Sequence, residues 1–149
     1  MILLLNLLVA GFMVAITFSV HFIGLMGLTL MLHRAGRRAG PDASVFREGR
    51  SILAAVFGLF ALHSVQIWLY AFAYLTLGEF GTVETALYFS IACFTTVGFG
   101  DVIPSENWRL LGAAEGANGF LLIGWSTAFL VSLTGRLRAF EARIEKLEK

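Results

Sequence analysis

Apolar residues fill positions 1–32 without a single Asp, Glu, Lys or Arg, and two further apolar runs follow at about 51–77 and 110–133. The hydrocarbon core of a bilayer takes about 20 apolar residues of helix to cross. Each run therefore predicts a membrane-crossing helix. A fourth stretch, 82–94 (TVETALYFSIACF), is apolar on most faces but too short to cross alone. The pattern divides the chain into an extra N-terminal transmembrane helix (1–33), a basic loop (34–50), a second transmembrane helix (51–77), a connection that holds the short helix (78–107), a third transmembrane helix (108–134) and an amphipathic helix (135–149). The expected fold class is an all-α membrane protein with three transmembrane helices.

Composition supports that class. With 58% hydrophobic and 14% charged residues, the 149-residue chain has no room for a large soluble domain. A cleaved signal peptide is the rival reading of the first run. That run far exceeds the roughly 7–15 residues of a signal core, lacks a basic start, and ends in His33-Arg34 rather than a small-residue cleavage site. Cys93 is the single cysteine, which excludes intrachain disulfides and multi-cysteine metal sites; a small packing residue suits it. Near-zero net charge and the lack of a basic patch interleaved with aromatics give no nucleic-acid partner. No nucleophile and base stand at an interpretable spacing, so no enzyme is expected and no catalytic residue is assigned.

Cations set the orientation. Arg34, Arg37, Arg38, Arg47 and Arg50 fall between the first two runs, and Arg136, Arg138, Arg143, Lys146 and Lys149 follow the third. Both segments belong in the cytoplasm by the positive-inside rule. The N-terminus is then outside, and the segment 78–107 re-enters from the outside. Glu79, Glu84, Asp101 and Glu106 outnumber Arg109 there and favour cations.

The chemistry concentrates in Thr95-Thr96-Val97-Gly98-Phe99-Gly100-Asp101, a polar, glycine-rich strip between apolar helices. Burying a bare cation in a low-dielectric medium costs on the order of tens of kcal/mol, unless oxygens replace its water shell. Backbone carbonyls can supply them. An extended strand alternates its carbonyls, so aiming them at one axis requires unusual backbone at alternate residues, which Gly98 and Gly100 tolerate. An ordinary glycine turn is the alternative for the string by itself.

The strip resembles the selectivity filter of potassium channels, and the order of elements from 51 to 134 is similar to the outer helix, pore helix, filter and inner helix of the tetrameric potassium channel pore-domain family. The resemblance is specific from about Thr82 to Thr134, and the first helix lies outside it. It implies four identical chains on a fourfold axis, with three further copies of the chain and membrane lipid as the partners. It implies permeant K+ at Thr96, Val97, Gly98 and Phe99, with Gly100 completing the filter and no cofactor besides the ion. It also implies a small, pore-only channel with an extra helix, placed in a bacterial inner (plasma) membrane. Thr95, Asp101, Tyr88, Phe89 and Glu115 would support the filter, with Tyr88 able to donate to Asp101. Gly119, Ile123, Thr127 and Val131 would line or gate the pore, Gly119 and Gly124 lying where inner helices of this family bend. The short helix would point its negative C-terminal end at an inner cavity, with Glu84 at its positive end or simply solvated.

The chain departs from the common family pattern at Phe99, in place of tyrosine, and at Tyr88 and Phe89, in place of paired tryptophans. Ala92 stands where some relatives hold a carboxylate. A nonselective cation channel, or a nonconducting scaffold that keeps the pore fold, is therefore the alternative function.

Other residues carry lesser expectations. Glu115, inside a span, is costly there and suggests a function. His21 and His63 lie at equal depth and can meet, as a hydrogen-bonded neutral pair or a proton sensor. Asn6, Ser64 and Gln66 suit interhelical hydrogen bonds. Leu137, Phe140, Ile144 and Leu147 are spaced as a short coiled-coil seam, with a helix on the membrane surface as the alternative.

Overall fold

The computed structural model describes residues 2–37 and 45–147, with side chains described for 2–34 and 49–135. Four helices follow in order: α1 (Ile2–Arg37), α2 (Val45–Thr76), α3 (Val83–Phe94) and α4 (Arg109–Leu147). Three are long and apolar enough to cross a membrane, over Ile2–Arg34, Gly49–Thr76 and Arg109–Gly135. At 12 residues α3 is only about 18 Å long. It wedges between α2 and α4, while α1 lies against α2 and α4.

Helix ends extend the sequence pattern. α2 begins at Val45, six residues ahead of the apolar run, and α4 continues past 135 to Leu147 without a break. Arg47, Glu48 and Arg50 interrupt the apolar pattern ahead of the second run, whereas the amphipathic spacing after 135 already predicts a helix there. The expected seam of Leu137, Phe140, Ile144 and Leu147, and the arginines and lysines of the tail, lie outside the described side chains, as do Arg37, Arg38 and Arg47.

The chain is apolar outside and polar within. Leu3, Leu8, Phe12, Ile23, Phe57 and Phe60 are exposed, whereas Thr17, His21, Gln66, Ser90 and Glu115 are fully buried. That distribution suits a lipid solvent, where polar groups must satisfy one another inside. Tyr70, Tyr74, Phe89, Phe94, Leu111 and Leu122 form the apolar core at the meeting of α2, α3 and α4. Between α1 and α2, the Leu62 side chain occupies the space a Cβ on Gly24 would need, and Leu28 that of Gly58. Absence of side chains there lets the two helices approach closely.

Three polar expectations fall differently. The Asn6 amide donates to the Asn107 carbonyl and ties α1 to the loop before α4. Gln66 bonds across to α1. Ser64 does not cross: its hydroxyl donates to Phe60 O one turn earlier in α2, 2.8 Å away. A serine in a helix can satisfy itself on its own backbone, so its presence does not imply a neighbour.

Candidate functional site

The site is built at the C-terminal end of α3. Thr82 caps the start of this helix: its backbone is extended (φ −134°, ψ 152°) and its hydroxyl accepts from Thr85 N at 3.1 Å. Glu84 stands in the first turn, the favourable end for an anion. The helix closes with Thr95 N donating to Ile91 O (3.1 Å) and Thr96 N to Cys93 O (2.9 Å). Gly98 N then reaches back to Ala92 O (3.0 Å), folding the strip against the helix that precedes it.

Backbone handedness alternates along the strip. Thr96, Gly98 and Gly100 have φ of 61°, 51° and 79°, whereas Val97 and Phe99 keep negative φ. Alternating hands turn successive carbonyls toward one side, where an ordinary strand would alternate them. Thr96 is the sole non-glycine with positive φ among the described residues. For a β-branched residue that conformation is strained, costing about 1–2 kcal/mol. Among the described residues, no hydrogen bond is accepted by the carbonyls of Thr96, Val97, Gly98 or Phe99. Residues 95–100 are all exposed on the single chain. The strip therefore presents a row of exposed carbonyl oxygens without donors among the described residues, chemistry that can replace the water around a cation.

Side chains brace this row from two sides. On the outer side, Tyr88 OH donates to Asp101 Oδ2 at 2.7 Å and Val102 N donates to Asp101 Oδ1 at 3.1 Å. The Tyr88 bond holds the Asp101 carboxyl below the usual carboxylate range, and the same bond raises the Tyr88 phenol. Nearby, the Glu79 carboxylate accepts from Ser105 N (2.6 Å) and Ser105 Oγ (2.8 Å), fixing the loop that leads to α4. Behind α3, Glu115 is fully buried and accepts from Tyr74 OH (2.7 Å) and Ser90 Oγ (2.5 Å). One carboxylate thus joins α2, α3 and α4. Phe89 packs edge-on against Tyr74 at 5.1 Å and also against Phe80. Phe99 is exposed on the single chain, and Cys93 packs with its thiol on Gly112 O.

On α4, Gly119 meets the last turn of α3. A Cβ there would stand 2.0 Å from Phe94 O. Gly119 and Gly124 both lie inside an unbroken helix, and Gly124 has nothing within 4 Å. Ile123, Thr127 and Val131 are exposed on the single chain, and Thr127 donates to Ile123 O.

The structure adds Tyr74, Ser90, Asn118 and Ser126 to the residues singled out from sequence. Asn118 Nδ2 donates to Thr17 Oγ1 (2.7 Å) and Tyr70 OH (3.1 Å), and Ser126 Oγ meets His63 Nε2 at 2.9 Å. A polar residue within an apolar run was the available signal for Asn118.

Residues 53–136, more than half of the chain, match a family model described as an ion channel. No curated protein and no solved structure matches the chain. The match begins within α2, spans α3 and the Thr95–Asp101 strip, and ends in α4, leaving α1 outside it. This chain is an integral membrane protein of that ion channel family.

Proposed function

We propose that four copies of the chain form a potassium-selective channel, with the carbonyls of Thr96, Val97, Gly98 and Phe99 and the Thr96 hydroxyl as ion ligands. The observation that carries this reading is the left-handed backbone at Thr96, Gly98 and Gly100, alternating with ordinary backbone between them. No simple turn needs three such residues at every second position. The pattern gives consecutive carbonyls a common direction and leaves them without donors.

Exposure of the strip supports the assembly. Polar backbone at membrane depth must be covered by protein or line a water-filled path. A single protomer leaves residues 95–100 open, and cyclic closure around the strip covers them. The same closure puts α4 around the inner part of the path, with Ile123, Thr127 and Val131 as candidate lining residues. The C-terminal end of α3 then faces the path with its partial negative charge, favouring a cation below the filter. Arg34 and Arg50, exposed at the ends of α1 and α2 opposite the strip, favour the cytoplasmic placement of those ends. Passive K+ movement down its gradient is the resulting activity.

Purified protein reconstituted in liposomes tests the reading. Potassium flux well above sodium flux is expected, with loss in Gly98→Ala, and chemical cross-linking should stop at four chains. Equal flux of the two ions would replace selectivity with general cation conduction. Absence of flux from confirmed tetramers at every pH and lipid composition would leave only the scaffold role.

A further inference from the structure

Beyond the strip, α1, α2 and α4 are joined by a second polar cluster. His21 of α1 and His63 of α2 stack with ring centroids 5.4 Å apart. Gln66 bridges them: its Nε2 lies 3.1 Å from Thr17 O and 3.2 Å from His21 Nδ1, and its Oε1 lies 2.9 Å from His63 Nδ1. His63 Nε2 lies 2.9 Å from Ser126 Oγ of α4.

Hydrogen-bond chemistry fixes the protons in this cluster. The Thr17 carbonyl can only accept, so the Gln66 group facing it is the NH2. That NH2 also faces His21 Nδ1, which must accept, so the His21 proton sits on Nε2. Gln66 Oε1 in turn must receive the proton on His63 Nδ1. His63 Nε2 is then a lone pair, which the Ser126 hydroxyl satisfies as donor. His21 Nε2 is buried without a partner among the described residues.

The two vacant positions for another proton are unequal. A proton on His21 Nδ1 would confront the Gln66 NH2, which cannot turn without abandoning Thr17 O. A proton on His63 Nε2 needs only rotation of the Ser126 hydroxyl, which can donate instead to a carbonyl of the preceding turn. His63 is half-buried and His21 fully buried, so His63 is also the more accessible. Among the described residues, the hydrogen-bond partners of the two rings are neutral and none would serve as a counter-ion. Around the pair stand Thr17 on α1, Gln66 on α2, Phe94 on α3, and Ser126 and Trp125 on α4. Glu115, the nearest carboxylate along α4, is already occupied by Tyr74 and Ser90.

His63 also touches the ion path's own machinery. Its ring lies 5.7 Å from that of Phe94, the last residue of α3. A cation there opposes the negative end of the helix, which would otherwise favour a permeant cation. We propose that the His21–His63 pair is a proton-binding site that takes its first proton at His63 Nε2 and thereby lowers cation conduction. The conduction half rests on the function proposed above; the proton site itself does not. Imidazole is the side chain whose ordinary charge change falls in the physiological range.

Full-length protein in liposomes, with its three histidines labelled with 15N, separates the two halves. Between about pH 8 and about pH 5, the His63 resonance should titrate. Potassium flux should fall severalfold over the same interval. His63→Gln should abolish that fall while conduction at high pH persists. Ser126→Ala, which keeps both imidazoles, should displace the midpoint of both curves together, and it serves if His63→Gln fails to fold. A His63 resonance that stays neutral to pH 5 overturns the site, as does an unchanged acid response in His63→Gln. A titrating His63 in vesicles with no flux at any pH overturns the conduction half and the channel reading, while the site stands.

Discussion

The carbonyl oxygen of Phe94 lies 2.0 Å from the point a Cβ on Gly119 would occupy, so α4 crosses the end of α3 in backbone contact. Backbone cannot swing aside as a flexible side chain can. Gly119→Ala therefore has to part the two helices at the place where α3 hands over to the strip. Overpacking of this kind costs about 1–3 kcal/mol, and the upper part of that range is expected here. The unfolding midpoint in detergent should fall and flux should be lost. Gly124→Ala, with open space around it, should leave both close to wild type. Equal effects at the two glycines would show that the Phe94 contact does not decide the packing.

Glu115 makes the second structural prediction. Its two oxygens accept from Tyr74 and Ser90, one on each neighbouring helix. Tyr74→Phe removes a donor and leaves a buried acceptor short, a change costing about 1–3 kcal/mol. Ser90→Ala should cost a similar amount, since it removes the donor to the other Glu115 oxygen. Because both act on one carboxylate, the double variant should differ from the sum of the singles. Thermal unfolding of the four proteins measures this, and strict additivity would show that the two bonds are independent.

Much of this architecture was legible in the pattern of residues. Run length alone separates three crossing helices from α3, and Tyr88 and Asp101, expected as partners, are bonded. His21 and His63, expected to meet from their equal depth, do so. What escaped was context. Glycine marks Gly98 and Gly100 as left-handed candidates, but nothing in a threonine announces that Thr96 joins them. Gly119 reads the same in sequence whether a helix bends there or another backbone presses on it. The starting point of α2 at Val45 was hidden because Arg47, Glu48 and Arg50 separate Val45 and Phe46 from the apolar run that follows.

Acid sensitivity at the outer end of the strip follows from Tyr88. Its hydroxyl holds Asp101 below the usual carboxylate range, so the bond contributes at neutral pH and is lost as pH falls through that lowered value. Tyr88→Phe removes the largest cause of the shift and lets Asp101 protonate at higher pH. Flux measured in a His63→Gln background, with only the outside acidified, isolates this end. Acid loss of flux should begin at higher pH in Tyr88→Phe than in its parent. An unchanged profile would show that protonation of Asp101 does not limit conduction.

The last prediction separates backbone strain from ligand supply at Thr96. Its φ of 61° is unfavourable for a β-branched residue, and glycine adopts the same conformation at little steric cost. Thr96→Gly should relieve strain worth about 1–2 kcal/mol, partly offset by the greater freedom glycine gives the unfolded chain. It also removes the hydroxyl that would complete the innermost ion site. Stability should therefore be kept or gained while potassium flux and selectivity fall. Thr96→Ser retains the hydroxyl and should conduct much closer to wild type. Gly98→Ala is the opposite case, since it adds strain at φ 51° with no atom of the described residues within 4 Å of the new Cβ; it should lose stability and conduction together. Thermal melts set beside flux ratios for the three variants resolve the two contributions. Full conduction in Thr96→Gly would remove the hydroxyl from the ligand set and leave the carbonyls to coordinate alone.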